Sequence, residues 1–174
     1  TQSGIKYKIA NYSQLKEAGI IKLDESLIKE VDALNNYFNI LNIDFTKPVT
    51  VVEGQIDSMF ITNCIATTGV TKSKTILESL ITKKNAKIFF DNDMAGKGQT
   101  IELLKKGYTV FLWSKLIHSL RRKYPDALRI IHKIKDINDL YRFLSSRDPG
   151  LTFDSFNQFV NDYYSDSPFD MIYV

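Results

Sequence analysis

The sequence predicts an α/β fold: a central, mostly parallel sheet of four to five strands, helices on both faces, and further helical segments at either end. Three observations carry this. Short β-branched or aromatic runs recur without polar alternation, as strands buried on both faces require. Stretches of helical periodicity separate them, which is the alternation of a parallel sheet with crossover helices. The length, 174 residues, suffices for one domain with a real core and not for two large ones.

The elements follow in order. Residues 12–23 read as a loop with a short helix. Asp24 is placed as an N-cap, and Leu27, Ile28, Val31, Leu34, Phe38 and Leu41 then recur at helical spacing. Pro48 closes the next loop. The first strand is Val49-Thr50-Val51-Val52, between Pro48 and Gly54. The second is Cys64-Ile65-Ala66-Thr67, ending near Gly69. The third spans 87–90, the fourth 108–112, and Leu128-Arg129-Ile130-Ile131 is a fifth candidate. Helices are expected over 56–62, 74–84, 95–106 and 114–123, with Gly107 as the glycine that follows a helix end. The tail returns to helix over 137–144 and again where Phe153, Phe156, Phe159, Val160 and Tyr163 form an aromatic stripe. Such a stripe is read first as packing, and second as a docking face for another domain.

Composition narrows the function classes. The chain is 44% apolar and 25% charged, ordinary for a globular protein. No apolar run approaches the roughly 20 residues needed to cross a bilayer. Residues 1–8 carry no signal-peptide pattern, and Thr1 in place of Met suggests a piece of a longer protein. Cys64 is the one cysteine, which excludes an internal disulfide and a multi-cysteine zinc site and points to a reducing, cytoplasmic compartment. A net charge of +3 does not by itself indicate nucleic acid. Lys115, Arg121, Arg122, Lys123, Arg129, Lys133 and Lys135 nevertheless crowd one stretch, where a solvated helix face is the default reading.

The acids are placed more tellingly. Ligand sites in open α/β sheets lie at the carboxyl ends of strands. Glu53 ends the first strand, and Asp57 falls on the first turn of the next helix, with Gly54 allowing a sharp turn between them. Asp91 and Asp93 follow the third strand, and Lys135 and Asp136 follow the fifth candidate. Glu53, Asp91 and Asp93 are therefore expected on one rim. Three carboxylates so close repel one another unless a hard divalent cation sits between them, and Mg²⁺ or Mn²⁺ is the expected ion. The competing explanation is helix capping, which serves for Asp57, Asp93 and Asp136 taken singly but poorly for Glu53.

Glu53-Gly54-x-x-Asp57 after a first strand, Asp91-x-Asp93-x-Ala95-Gly96 after a later one, then Lys135-Asp136-x-Asn138-Asp139, resembles the Toprim family. That module is shared by bacterial-type primases, topoisomerases, some nucleases and recombination proteins. The resemblance covers residues 48–144, and the stretches 53–60 and 135–140 look most like primases of tailed bacteriophages that work with a separate replicative helicase. It implies a Rossmann-like Toprim domain over 48–146, a helical lead-in over 1–47 and a helical tail over 147–174. It also implies an activity: synthesis of RNA primers on single-stranded DNA from nucleoside triphosphates, with two or more Mg²⁺ or Mn²⁺ ions and no zinc in this part. Glu53 matches the acid that ligates metal and assists proton transfer, Asp91 and Asp93 the paired ligands, and Asp136 a third acidic position. Asp57, Lys135 and Asp139 match supporting positions, whereas Asn138 stands where bacterial primases tend to have a second Asp. Lys97, Arg121, Arg122 and Lys123 become candidates for nucleotide or nucleic-acid phosphates. The family further implies a zinc-binding domain and a basic template-binding subdomain elsewhere, so that the chain alone makes little primer.

Two other functions fit the same residues: a Toprim nuclease, and a nucleic-acid- or helicase-binding module without catalysis. Gly96-Lys97-Gly98-Gln99-Thr100 is not a phosphate loop, because its first glycine would have to be residue 91, which is Asp. His118 and His132 show no spacing that suggests a metal or a triad and read as packed or surface residues.

Overall fold

A computed structural model of the chain describes residues 16–19, 37–67 and 81–174. The chain divides into two compact units, Thr1–Tyr37 and Phe38–Val174. In the first, Gly19 N–H donates to the Lys16 carbonyl at 2.9 Å and closes a single turn. All the candidate site residues lie in the second.

Among the described residues six strands form one sheet: β1 (Tyr37–Phe38), β2 (Val49–Val52), β3 (Cys64–Thr67), β4 (Ala86–Ile88), β5 (Thr109–Phe111) and β6 (Tyr164–Ser165). Their order is β1-β3-β2-β4-β5-β6. β2 pairs in parallel with β3 and β4, β4 in parallel with β5, and β6 runs antiparallel to β5. The α/β class is as the sequence predicts, but the sheet is mixed and has six strands, not four to five. The unforeseen strands, β1 and β6, are two residues each, too short to carry a period.

Val52, Cys64, Ala66, Phe89 and Phe111 belong to one core cluster. Val51, Ile65, Ile88 and Val110 alternate with them and are equally buried, so both faces of the sheet are covered. The cluster is completed by α3 (Trp113–Lys123), α5 (Ile137–Arg147) and α6 (Phe153–Asn161). α3 buries Trp113, Leu116 and Leu120 at helical spacing. Most of the aromatic stripe of the tail packs as expected: Phe156, Val160 and Tyr163 are buried, Phe153 is exposed, and a capping box at Thr152 and Ser155 starts α6. The other long helix, α2 (Met94–Lys105), packs against β5 and buries Leu104. Gly107 follows α2 with φ 75°, the left-handed position that glycine fills without strain.

Several expected elements differ. Leu128–Ile131 is a helical turn, α4, and not a fifth strand. Pro125 starts a tight 3₁₀ turn after α3, and Ala127, Ile131 and Ile134 then point inward at helical spacing. Ile130 is 54% exposed, which a doubly covered strand would not allow. The helix expected over 56–62 is the single turn α1 (Gln55–Ser58), stopped before Asn63, whose φ is 50°. Of the helix expected over 24–41, residues 24–36 lie outside the described residues, and Tyr37–Phe38 is strand. Of that expected over 74–84, residues 74–80 lie outside them, and 83–85 form a turn. Gly69 and most of 12–23 lie outside them too. Cys64 is a buried core residue. Among the described residues no helix is long and apolar enough to cross a membrane.

Candidate metal centre

β2 and β4 are parallel neighbours, so the chain leaves both at the same edge of the sheet. Glu53 directly follows β2. Pairing persists beyond β4, with Phe89 N–H donating to the Val51 carbonyl at 2.9 Å, and this carries Asp91 to Glu53. The Asp91 N–H points at Glu53 Oε1 across a long 3.4 Å.

The loop bearing Asp91 and Asp93 is pinned on several sides. Trp113 Nε1–H donates to the Phe90 carbonyl at 2.7 Å. Asn92 N–H donates to the Lys135 carbonyl at 2.6 Å, and Asn92 Nδ2–H to the Ile134 carbonyl at 3.2 Å. Gly96, in the first turn of α2, packs against the Asp91 backbone: a Cβ there would collide with the Asp91 carbonyl oxygen and stand 3.1 Å from Asp91 N.

Capping, the competing explanation, is realised at two acids. Asp93 caps α2, its Oδ1 accepting from Gly96 N–H at 2.8 Å. Asp136 caps α5, its Oδ1 accepting from Asp139 N–H at 2.7 Å, while Asp139 Oδ2 accepts from Lys135 N–H at 3.4 Å. Each cap bond engages one oxygen of its carboxylate. Because Leu128–Ile131 is helical, Asp136 reaches this region from a helix start and not from a strand end.

Asp57 does not cap its own helix. It is buried, and its Oδ1 accepts from the N–H of Asn138, the second residue of α5, at 3.0 Å. It thereby ties α1 to the start of α5. This also explains Gly54, whose φ of −92° any residue adopts: a Cβ there would collide with Asp57 Oδ2. Gly54 supplies room for a carboxylate, and its backbone angles do not themselves call for glycine. Asp57→Ala should therefore cost about 1–2 kcal/mol by orphaning that N–H, whereas Asp57→Asn keeps an acceptor oxygen and should stay near wild type. Urea midpoints measure both; equal losses would show that the carboxylate's charge, not its acceptor, holds α5.

The acids feel one another. Burial raises Glu53 above the usual carboxylate range, opposed by the Asp91 N–H and reinforced by Asp93 and Asp57. Burial also raises Asp57, opposed by Asn138 N–H and reinforced by Asp136. Asp91 is pushed up to about 7, first by burial, then by Glu53, Asp57, Asp136 and Asp93. Among the described residues no ion pair engages any of these five acids.

No family model matches the chain, and a search of curated proteins finds no match either.

Repulsion and coordination are separate conditions here. Glu53, Asp57 and Asp91 are raised in part by neighbouring carboxylates, yet among the described residues no three His, Cys, Asp or Glu side chains gather round one point as ligands would. Repulsion itself favours such splayed side chains, and drawing Glu53, Asp91 and Asp93 together needs a cation to offset it. Glu53, Asp91 and Asp93 offer hard carboxylate oxygens, which suits Mg²⁺ or Mn²⁺.

The basic candidates divide. Lys97 and Arg121 line one cleft that also includes Asn92. Arg122 is exposed, Lys123 lies over the Tyr124 ring at 5.2 Å, and all three residues 121–123 complement the carboxyl-end dipole of α3. The Lys135 side chain is exposed. Sequence reasoning missed Asn92, which reads as a spacer between two acids, and Trp113, whose indole fixes the strand end before Asp91. Asp-Asn-Asp after an apolar run was a usable signal, since a side-chain amide can donate to a backbone carbonyl, as Asn92 Nδ2–H does to Ile134, where a third carboxylate could not.

Proposed function

We propose that this chain is the metal-dependent catalytic module of a DNA primase of the Toprim type, joining ribonucleotides on a single-stranded DNA template. The observation that carries the reading is the adjacency of Glu53 and Asp91 at the carboxyl edge of parallel strands, with Asp93 two residues on. Carboxylates raised by burial and mutual repulsion, with no ion pair among the described residues, are suited to a divalent cation. Glu53, Asp91 and Asp93 would hold it, with Asp136 as a further acidic position.

A bound Mg²⁺ or Mn²⁺ supplies charge stabilisation at the α-phosphate and activates the attacking 3′-hydroxyl. The chain's own residues do the rest. Glu53, beside Asp91, would be the group that accepts a proton from the attacking hydroxyl. Asn92, Trp113 and Gly96 hold the Asp91–Asp93 backbone in place, so that side-chain rotation alone would close the carboxylates on an ion. Asp57 fixes the start of α5 and with it Asp136. The partners of this reading are single-stranded DNA, nucleoside triphosphates and a replicative helicase.

The test pairs synthesis with scission. The longer protein expected to carry this chain, and the chain alone, are incubated with single-stranded DNA and Mg²⁺, with and without ribonucleotides. Template-dependent joining by the longer protein, no cleavage without nucleotides, and little product from the chain alone are expected. Strand scission in the absence of nucleotides would favour the nuclease.

A further inference from the structure

Beside the acid rim lies a cleft of about 440 Å³ with the opposite character. Among the described residues its polar lining is Asn92, Lys97, Ser114, His118, Arg121 and His132, with no carboxylate among them. Asn92 separates Asp91 from Asp93, so one wall of the cleft is the loop that carries two rim acids. Arg121 Nη2 lies 3.2 Å from both ring nitrogens of His132, so its guanidinium rests on an imidazole and not on an acid. The two histidines come from α3 and from the residue that ends α4, which the turn at Pro125 brings together.

We propose that this cleft binds the phosphates of a nucleoside triphosphate. Lys97 and Arg121 supply fixed positive charge, and the His118 and His132 rings supply further donors. The volume lies at the lower end of the roughly 300–1,000 Å³ of small-ligand sites. A strand backbone would call for a track of cations continuing along the surface, yet Arg122 and Lys123 do not line the cleft. A triphosphate seated here has one end against the Asp91–Asp93 loop, which is where nucleotidyl transfer needs its α-phosphate. That orientation rests on the proposed function; the binding of phosphate does not.

The test is calorimetric binding of ATP and of inorganic tripolyphosphate to the 174-residue chain in EDTA. Both should bind and compete for one site. Lys97→Gln and Arg121→Gln should each weaken binding about tenfold or more, the effect of losing one charge-assisted hydrogen bond. His118→Ala with His132→Ala should weaken it severalfold. Lys115→Gln removes the same charge from the same helix outside the cleft and should stay within about twofold. Melting curves check each fold, and if Arg121→Gln unfolds, Lys97→Gln carries the comparison. Failure of tripolyphosphate to bind, equal losses with Lys115→Gln, or binding seen only with an oligonucleotide would each overturn the proposal. The two readings fail separately: binding in EDTA reads the cleft without the metal-dependent rim, and primer synthesis by the longer protein reads the rim.

Discussion

Asp91→Asn is expected to abolish nucleotidyl transfer while leaving the chain folded and, without metal, more stable. The loss of activity should reach about a hundredfold or more, because an amide oxygen lacks the charge to hold Mg²⁺ against a triphosphate. The gain in stability follows from linkage. Asp91 titrates at about 7 in the folded chain, above the usual carboxylate range of the unfolded one. Between those values the folded state binds more protons, so this contribution is full at low pH and is lost as pH rises through about 7. Glu53 and Asp57, also raised, act in the same direction. In EDTA the wild type should therefore melt lower at pH 8 than at pH 5, and Asp91→Asn should flatten the slope. At pH 8 the variant should melt higher by on the order of a few degrees. A well-folded variant that synthesises at the wild-type rate would sink the metal reading; an unchanged pH slope would sink the electrostatic one.

Gly96→Ala is expected to damage both fold and site through a single methyl group. The added Cβ collides with the Asp91 carbonyl oxygen, a backbone atom that no rotamer change can move. Relief requires α2 to withdraw or the Asp91 loop to shift. The loop is bonded to Lys135, and Trp113 holds Phe90, so the strain spreads to α5 and α3. The cost should lie at or above the top of the roughly 1–3 kcal/mol range for overpacking. Gly98→Ala, two residues on, meets no atom within 4 Å and should be neutral or slightly stabilising through helix propensity. Denaturant unfolding of the pair measures the difference, and equal stabilities would mean that α2 does not sit against Asp91 as described.

How much of this could be read from sequence depends on where each signal resides. β2 and β3 were legible because apolar runs between Pro48 and Gly54, and before Gly69, have no polar alternation. Leu128–Ile131 was misread because four residues rich in branched side chains do not reveal their period. The inward spacing of Ala127, Ile131 and Ile134 was the better guide. β6 pairs through two residues and takes its identity from β5, not from its own side chains. At the site, positions after apolar runs found Glu53, Asp91 and Asp93. The bond from Asn138 to Asp57 spans 81 residues and has no local signature. His118 and His132 looked unrelated because a helix end and a proline turn, not regular spacing, bring them to one cleft. Capping, which serves for Asp57, Asp93 and Asp136 taken singly, is realised at Asp93 and Asp136 and not at Asp57, and the use of one oxygen each lets those caps coexist with a metal role.

The most direct test is the position of Mn²⁺. Crystals of the chain soaked in Mn²⁺ and measured for anomalous scattering should show density between Glu53, Asp91 and Asp93, with those side chains drawn together. The density should strengthen with ATP, because Mg²⁺-like ions complete their shells with phosphate oxygens and water. Density confined to sites away from these three carboxylates, with Glu53 and Asp91 still splayed, would contradict the account.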